Sequence, residues 1–465
     1  MTDRTKKLAE IDRSHIWHPF TQMKEWEAEE PLIIEKGRGN YLIDTGGRRY
    51  LDAISSLWVN LHGHARPEID KAMKAQLGKI AHSTLLGLAN VPSIELAERL
   101  VNIAPAGLGR VFYSDNGSTA VEIALKMAYQ WSLQTGRPEK KRFVAFTGAY
   151  HGDTFGSMSV GEIDIFVKKY RPLLFKAYRA PYPYCYRCPL GESYPGCKIA
   201  CLGALEEILK KHNKEIAACV IEPGFEGAAG MITAPPGFLK GVRRLTKKYG
   251  VLLIADEVAA GFGRTGHMFA CDAEGVSPDF LCLAKGLTGG YLPLAATLTT
   301  ERVYKAFLGR FDEDKAFFHG HTYTGNPLGC AAALASLDIF EKEHVIEGLK
   351  PKIALLTRLL EDVGKLPHVG DVRQTGLVAG IELVADRETK MRYGAKERAG
   401  WRVCREAILN GVMIRPLGDT IVLMPPLSIT DAQMKTMVRV TAASIRKITE
   451  GKVASDKKPG LKGKR

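Results

Sequence analysis

The hydrophobic positions between residues 105 and 300 fall in short runs that alternate with helix-like stretches. Within each run the apolar residues occupy consecutive positions instead of every second one. Strands that are buried on both faces have this pattern, and they are typical of a parallel sheet flanked by helices. The chain therefore predicts an α/β core with a mostly parallel central sheet, formed by the runs RVFYS, RFVAF, AACVIEP, VLLIADE, FLCLAKG and LPLAATLTT.

The segments on either side of this core have a different pattern. Near the N-terminus, an Asp-Thr-Gly-Gly turn separates two strand-like runs and predicts a hairpin. From about residue 335 on, helices alternate with strand-like runs such as GLVAGIELV and TIVLMPPL. We expect both termini to build a smaller α+β domain. The predicted divisions are an N-terminal segment of the small domain (1–65), a large domain (66–334), the C-terminal part of the small domain (335–450) and a basic flexible tail (451–465).

The formal net charge of +14 changes this picture mainly at the C-terminus, where the last fifteen residues hold six Lys or Arg against one Asp. Such a tail has little to bury, so a frayed terminus is favoured over a nucleic-acid arm, and we expect no nucleic-acid partner. No stretch approaches the roughly 20 apolar residues that cross a bilayer, and the N-terminus lacks the apolar centre of a signal peptide. We therefore expect a cytoplasmic protein without a membrane partner.

Four of the nine cysteines are clustered, as Cys185, Cys188, Cys197 and Cys201. In a chain without a secretory signal they are expected to be reduced. Their spacing could form a tetrahedral thiolate site for a structural metal. The alternative, four free thiols in a surface insertion, is favoured because only the first pair has the tight spacing of a metal knuckle. We assign no metal to the functional site.

Chemistry is expected just after the strands, because ligands of open α/β sheets bind beyond the carboxyl ends of the strands. The run VLLIADEV leads directly into Asp256, whose carboxylate needs a cation or a strong donor if it is buried. The run FLCLAKG ends on Lys285, and a desolvated lysine can attack a carbonyl to form a Schiff base. An imine-forming amine and an anion for a pyridine nitrogen are what pyridoxal phosphate requires.

Two further segments fit the same cofactor. The turn after RVFYS contains Gly117 and Ser118 and leads into an amphipathic helix, whose free amides predict an anion site. Tyr150, after RFVAFTGA, supplies an aromatic ring that could stack on the pyridine.

A dinucleotide site is the competing interpretation, because Gly261, Gly263 and Gly266 satisfy the G-x-G-x-x-G pattern after a strand. That fingerprint requires a helix that starts within the glycines. The segment that follows, HMFACDAEGVSPDF, is short, interrupted by glycine and ended by proline, so it does not predict such a helix. We therefore favour pyridoxal phosphate.

These residues, with the segment IADEVAAGFGRTGHMFACDAEGVSPDFLCLAKGLTGGYLP, resemble the class III pyridoxal-phosphate aminotransferases. The resemblance covers almost the whole chain apart from the basic tail. It implies the aspartate aminotransferase-like fold (fold type I) and pyridoxal 5'-phosphate as cofactor. Five segments resemble more narrowly the diaminononanoate synthase subfamily of biotin biosynthesis, namely IWHPF, SSLWVNLHGHARPEI, YHGDTFGSMSV, FFHGHTYTGNPLGCA and IRPLGDTIVLMPPL.

The resemblance implies roles for the catalytic and cofactor-binding residues. Lys285 would form the Schiff base and carry the proton, Asp256 would pair with the pyridine nitrogen, and Tyr150 would stack near the ring and the substrate. The phosphate would be held by Gly117 and Ser118. The phosphate would also be held by His321 and Thr322 of the neighbouring subunit. The resemblance therefore implies a homodimer.

It also implies the substrates. Arg415 would bind the carboxylate of the acceptor, 8-amino-7-oxononanoate, and Trp58 and Gly320 would line the substrate channel with Tyr150 and Lys285. S-adenosylmethionine is the expected amino donor.

The amino donor stays open between two compounds. Relatives that use S-adenosylmethionine commonly have Tyr where this chain has Phe20, and two tryptophans where it has Leu57 and Trp58. A subset of the family uses lysine. Another class III ω-amino-acid transaminase or an aminomutase is a further alternative. A metal-stabilised binding protein built on the cysteines would leave Asp256 and Lys285 unexplained.

Overall fold

The computed structural model describes residues 2–451, in which seventeen strands form four sheets. In chain order they are β1 (Ile34–Arg38), β2 (Tyr41–Asp44), β3 (Arg49–Asp52), β4 (Leu108–Ser114), β5 (Arg142–Phe146), β6 (Tyr178–Ala180), β7 (Ile216–Ile221), β8 (Phe225–Glu226), β9 (Ile232–Thr233), β10 (Leu252–Asp256), β11 (Phe280–Leu283), β12 (Ala295–Thr300), β13 (Val369–Thr375), β14 (Val378–Leu383), β15 (Val412–Met413), β16 (Arg415–Leu417) and β17 (Thr420–Leu423).

Seven of these strands form the central sheet in the order β4-β12-β11-β10-β7-β5-β6. The five strands β11, β10, β7, β5 and β6 are parallel, whereas β12 runs antiparallel to both of its neighbours. The predicted mostly parallel sheet is confirmed, and LPLAATLTT contains its one reversed strand. Alternate residues of β7 enter two different hydrophobic clusters, with Val220 on one face and Cys219 and Ile221 on the other. Burial on both faces explains the consecutive apolar positions.

The helices in the described residues are α1 (Asp3–His15), α2 (Met23–Ala28), α3 (Ser55–Trp58), α4 (Pro67–Leu77), α5 (Val91–Ile103), α6 (Gly117–Gln134), α7 (Phe155–Val160), α8 (Asp164–Val167), α9 (Cys201–His212), α10 (Phe238–Lys248), α11 (Glu301–Lys305), α12 (Pro327–Lys342), α13 (Val345–Gly364), α14 (Ala399–Leu409) and α15 (Asp431–Thr449). Helix α6 packs on one face of the central sheet, and α9 and α10 contribute to the cluster on the other face. No helix in residues 2–451 combines the length and apolar character that crossing a bilayer requires.

The two chain ends meet in a smaller α+β unit. The strands β2 and β3 form the predicted antiparallel hairpin, β1 adds to it as a third antiparallel strand, and β3 pairs in parallel with β15 from the C-terminal part. A second small sheet has the order β13-β14-β17-β16. The small domain therefore draws on both termini, as expected, while the boundaries near residues 65 and 334 stay predictions. Residues 452–465 of the predicted basic tail lie outside the described residues.

The cysteine cluster lies between β6 and α9, and its four thiols are free and line one small cavity. The same segment contacts the small domain, where Arg187 Nε donates to Glu382 Oε1 over 2.6 Å and Tyr184 donates to Glu382 as well. Within residues 2–451, no three metal-ligating side chains are arranged to hold a metal ion. Glu382 thus attaches this segment to the small domain.

Candidate active site

The carboxyl ends of the parallel strands open into a cavity of about 700 Å³. The sequence predicted that polar side chains at these strand ends meet there, and the structure brings six of the ten predicted site residues to its wall: Trp58, Gly117, Ser118, Tyr150, Asp256 and Lys285. The other four, Gly320, His321, Thr322 and Arg415, lie outside the lining of this cavity in the described chain.

Lys285 lies two residues beyond the end of β11, with a backbone φ of +39°. Its amine is 4.8 Å from the centre of the Trp58 ring, and within the described residues it makes no hydrogen bond or ion pair with another side chain. Burial lowers the pKa of the Lys285 amine, and the negative charges of Asp256 and Glu222 oppose that shift. A lysine with a lowered pKa is more often neutral and therefore more nucleophilic towards a carbonyl carbon.

Asp256 is the last residue of β10, and only 5% of it is exposed. Its Oδ2 lies 2.7 Å from Nδ1 of His151, and its Oδ1 accepts a hydrogen bond from the amide of Val258 over 3.1 Å. His151 is buried as well. The histidine thus fixes the orientation of the carboxylate and offers it a proton donor. His151 is not among the site residues predicted from the sequence, although its position shortly after the end of β5 was an available signal.

Glu222 is a second buried carboxyl group that the sequence reasoning missed. It follows β7 directly, lines the cavity, and accepts hydrogen bonds from the amides of Tyr150 and Gly227, each over 3.0 Å. Burial raises the pKa of Glu222 to about 7. It therefore fixes the backbone of Tyr150 beside the cavity. Its place at the end of AACVIEP follows the same strand-end rule that revealed Asp256.

Tyr150 enters the cavity from the loop after β5. Its hydroxyl donates to Asp153 Oδ2 over 2.8 Å, and burial raises its pKa, so the phenol is neutral at physiological pH. The Tyr150 ring packs edge-on against Phe166 at 5.5 Å, and Phe166 packs edge-on against Phe20 at 5.3 Å. Phe20, the position that departs from the usual family pattern, is thus linked to the cavity wall through two aromatic contacts.

The start of α6 offers unpaired backbone amides at the cavity wall, where the sequence predicted an anion cradle. The Asn116 side chain accepts from the amide of Thr119 over 3.0 Å, whereas the amides of Gly117 and Ser118 have no partner within the described part of the chain. A Cβ atom on Gly117 would come within 2.5 Å of Val258 Cγ1, so the backbone can lie this close only because residue 117 is glycine. Unpaired amides at a helix start fit a phosphate group. With Lys285 and Asp256 on the same cavity, these residues fit pyridoxal phosphate.

Trp58 reaches the cavity from an unusual backbone. The four residues of α3, Ser55–Trp58, all have positive φ values, between 48° and 74°, and so form a single left-handed turn. None of them is glycine, and this conformation costs roughly 1–2 kcal/mol per residue. Trp58 is buried, with only 7% of its surface exposed. The periodicity of the sequence contains no signal for this turn.

The four remaining predicted residues lie on two other elements. His321 Nδ1 is 2.8 Å from Asp115 Oδ2, at the turn that precedes α6, and the neighbouring Gly320 and Thr322 are exposed. Arg415 is exposed on β16 opposite Val422, a residue that packs in the same hydrophobic cluster as Trp58. Their roles stay predictions.

The Gly261–Gly266 segment follows β10 as turns, and no α-helix starts within it. The glycines serve packing instead, because a Cβ on Gly263 would lie 2.7 Å from Leu427 Cδ1. The dinucleotide interpretation therefore lacks the helix it requires.

Comparisons with known proteins agree with this geometry. The family model described as "Aminotransferase class-III" matches residues 22–444. The chain is 57% identical to the adenosylmethionine-8-amino-7-oxononanoate aminotransferase of Nitratidesulfovibrio vulgaris, over 96% of this chain and 83% of the relative. Its fold matches the crystal structure of the enzyme of that name from Methanocaldococcus jannaschii with a TM-score of 0.91 at 49% identity, covering 95% and 99% of the two chains. It also matches a Pseudomonas jessenii omega transaminase in complex with PMP, with a TM-score of 0.91 at 33% identity, covering 95% and 98%.

The cradle can be tested with Gly117→Ala. The added methyl would displace Val258 or the helix start, so we expect the dissociation constant for pyridoxal phosphate to rise about tenfold or more, which corresponds to roughly 1.4 kcal/mol. Absorbance titration of the apoprotein measures it. Gly203→Ala in α9, where an added Cβ meets nothing within 4 Å, is the control and should bind like the parent. Parent-like affinity of Gly117→Ala would contradict the cradle.

Proposed function

The chain belongs to the class III aminotransferase family, and from that premise we propose that it transfers an amino group from S-adenosylmethionine to 8-amino-7-oxononanoate. It is a pyridoxal-phosphate-dependent aminotransferase. The observation that carries the choice of substrates is the 57% identity, over almost the whole chain, to a relative named for that reaction. The cavity supports it, since it combines the amine, the carboxylate and the anion cradle that an aminotransferase needs.

Each residue at the cavity has a distinct task in this reaction. When bound, pyridoxal phosphate supplies a carbonyl carbon that accepts the amino group and a ring that accepts electrons from the breaking C–H bond. Asp256, oriented by His151, would hold a proton on the ring nitrogen. Lys285, whose pKa is lowered, would take a proton from the substrate carbon and deliver it to the cofactor carbon that receives the amino group, and it would carry a proton in the opposite direction in the second half-reaction. Tyr150 would hold the ring from one face, with its loop fixed by Glu222.

The acceptor carries a carboxylate at the end of a long apolar chain, and Arg415 is the residue proposed to bind it. A guanidinium group suits this task, because it can form two parallel hydrogen bonds to one carboxylate. Arg415 has no ion-pair partner among the described residues, and its strand packs beside Trp58. Trp58 and Gly320 would line the path between the carboxylate site and Lys285.

We further propose a homodimer whose subunits complete each other's phosphate sites through His321 and Thr322. The loop that contains His321 and Thr322 is largely exposed. Large apolar side chains in this loop, before α5 and at the start of α5 are exposed as well, with exposed fractions of 79% for Phe318, 89% for Leu86, 64% for Leu88 and 65% for Val91. Clustered apolar exposure of this kind favours a protein interface. A second subunit would bury these side chains.

The donor is tested by half-reactions on the loaded protein. We expect S-adenosylmethionine to convert the cofactor to its amine form in a single turnover, 8-amino-7-oxononanoate to restore it, and lysine to do neither at a comparable rate. If only lysine converts the cofactor, lysine is the amino donor instead of S-adenosylmethionine. If only ω-amino acids convert it, both proposed substrates are wrong. Lys285→Ala should lower turnover by about a thousandfold or more, while the exposed Lys211→Ala should not change it.

Arg415 is tested by Arg415→Gln. Loss of a charge-assisted contact to the acceptor carboxylate should raise KM for 8-amino-7-oxononanoate about tenfold or more, while the half-reaction with the donor keeps its rate. The control is Arg402→Gln, an exposed arginine on α14. An equal effect on both half-reactions would show that Arg415 does not select the acceptor.

The shared phosphate site is tested by subunit mixing. Lys285→Ala is combined with a second chain that carries His321→Ala and Thr322→Ala, each of which forms impaired homodimers. In a mixed dimer one site keeps both Lys285 and the partner's intact phosphate residues, so equal mixing should restore about a quarter of the parent sites. If the phosphate residues act within their own subunit, mixing restores nothing.

A further inference from the structure

We propose that Asp52 is a positioning residue: it holds the left-handed turn Ser55–Trp58 and thereby fixes the Trp58 indole against the Lys285 amine. The inference rests on the proposed function only in that Lys285 is taken as the cofactor-binding lysine. It does not depend on which amines the protein exchanges. The catalytic groups described above do not include Asp52, which lies outside the cavity lining.

The turn needs an external hold. Four consecutive non-glycine residues have positive φ, and Ser56 and Leu57 have full left-handed helical values of (48°, 48°) and (74°, 53°). Such backbone persists only where the surrounding structure determines it, and it tends to occur at functional sites. The backbone hydrogen bonds Trp58 N to Ile54 O (2.8 Å) and Val59 N to Ser55 O (3.0 Å) are of the kind that a relaxed right-handed turn would make equally well, and Ser55 O also accepts from Asn60 N over 3.0 Å. They do not explain the handedness.

Asp52 supplies the missing hold from beneath the turn. Its side chain is fully buried at the end of β3, and it accepts from the Ser56 amide over 2.9 Å and from the Ser56 hydroxyl over 2.7 Å. Its Oδ2 also lies 2.9 Å from Nε2 of His64. A buried carboxylate that is bonded on both oxygens is rigid, because every alternative orientation leaves it unsatisfied. Ser56 is therefore fixed by two bonds from one group.

Two further contacts fix the ends of the turn. The hydroxyl of Ser55 donates to the carbonyl of Met424 over 2.7 Å, at the end of β17. The buried Arg264 donates to the carbonyls of Asn60 over 3.0 Å and of Pro425 over 2.5 Å. Burial lowers the pKa of Arg264 to about 9, and the charge of Asp52 opposes that shift. The chain is thus tied to the Met424-Pro425 segment on both sides of the turn, directly through Ser55 and by way of Arg264 through Asn60.

The consequence is the position of Trp58, the last residue of the turn. Trp58 belongs to one buried hydrophobic cluster with Phe225, Met231 and Val422, and the centre of its ring lies 4.8 Å from the Lys285 amine. An aromatic face at this distance stabilises a positive charge on the lysine nitrogen. If the turn relaxed, Trp58 would leave this position, because the direction of its side chain depends on the backbone. Asp52 therefore acts on Lys285 through Trp58.

The test compares Asp52→Ala, Asp52→Asn and the double variant Asp52→Ala with Ser56→Gly. In Asp52→Ala the turn loses the Asp52 carboxylate and relaxes. Amide hydrogen exchange in the peptide that contains Trp58 and Val59 should therefore be at least about tenfold faster in the apoprotein. In the loaded protein the visible absorption of the cofactor should titrate about half a pH unit lower, because the stabilised cation is lost. Turnover with whichever donor is active should fall about tenfold or more.

Two variants separate geometry from charge and from general destabilisation. Asparagine keeps an acceptor for the Ser56 amide, and Ser56→Gly removes the steric cost of a left-handed residue, so both should return the exchange rate and the titration towards the parent although both lack the charge. Asp279→Ala is the matched control: Asp279 is buried, accepts from Leu253 N over 2.9 Å and is remote from the turn, so its loss should lower stability without shifting the titration.

The outcomes are decisive in both directions. Unchanged exchange and titration in Asp52→Ala would overturn the proposal, and so would a glycine rescue that fails while the double variant is folded. Because amide hydrogen exchange is measured on the apoprotein, its result tests the role of Asp52 even if the protein uses other substrates than those proposed. If the parent protein does not aminate 8-amino-7-oxononanoate, the proposed substrates are wrong, whereas the role proposed for Asp52 is unaffected.

Discussion

The site depends on the burial of a carboxyl group and an amine at the ends of adjacent parallel strands. Asp256 ends β10 and Lys285 follows β11, and the two strands pair in register from Ile254 to Asp256. An isolated carboxylate or ammonium in such a position would lose its charge, because desolvation disfavours the ionised form. Here the carboxylate keeps a hydrogen-bond partner in His151, while the lysine is left with a lowered pKa. The same burial that is costly for folding makes the amine a nucleophile.

The groups around this pair fix positions more than they add chemistry. His151 orients Asp256, Glu222 holds the backbone of Tyr150, and Gly117 lets the start of α6 approach the cavity. Each is placed by the same architecture, in which parallel strands end at one edge and loops leave from there. Because the supporting groups are buried and hydrogen-bonded, they fix the shape of the cavity wall.

The small domain takes part in this arrangement through one strained element. The turn Ser55–Trp58 runs from β3, in the sheet built by both termini, to the wall of the cavity in the large domain. Its hydrogen bonds reach Asp52 and Met424 on the small-domain side, and Trp58 meets Lys285 on the other. A packed, strained connection has few alternative arrangements, so the relative position of the two units and the position of the indole are linked.

The sequence by itself determined the elements of the core and most of the cavity. Runs of consecutive apolar residues identified the buried strands, and polar residues after them identified Asp256, Lys285, Tyr150 and the Gly117-Ser118 cradle, because strand ends of a parallel sheet converge. Only the tertiary structure decided which groups support them. The pairing of His151 with Asp256 spans 105 residues, and that of Ser55 with Met424 spans 369. The periodicity of hydrophobic residues reports only on neighbours along the chain, so it cannot predict contacts between residues this far apart in sequence. For the same reason it cannot predict a left-handed turn that is stabilised by remote contacts.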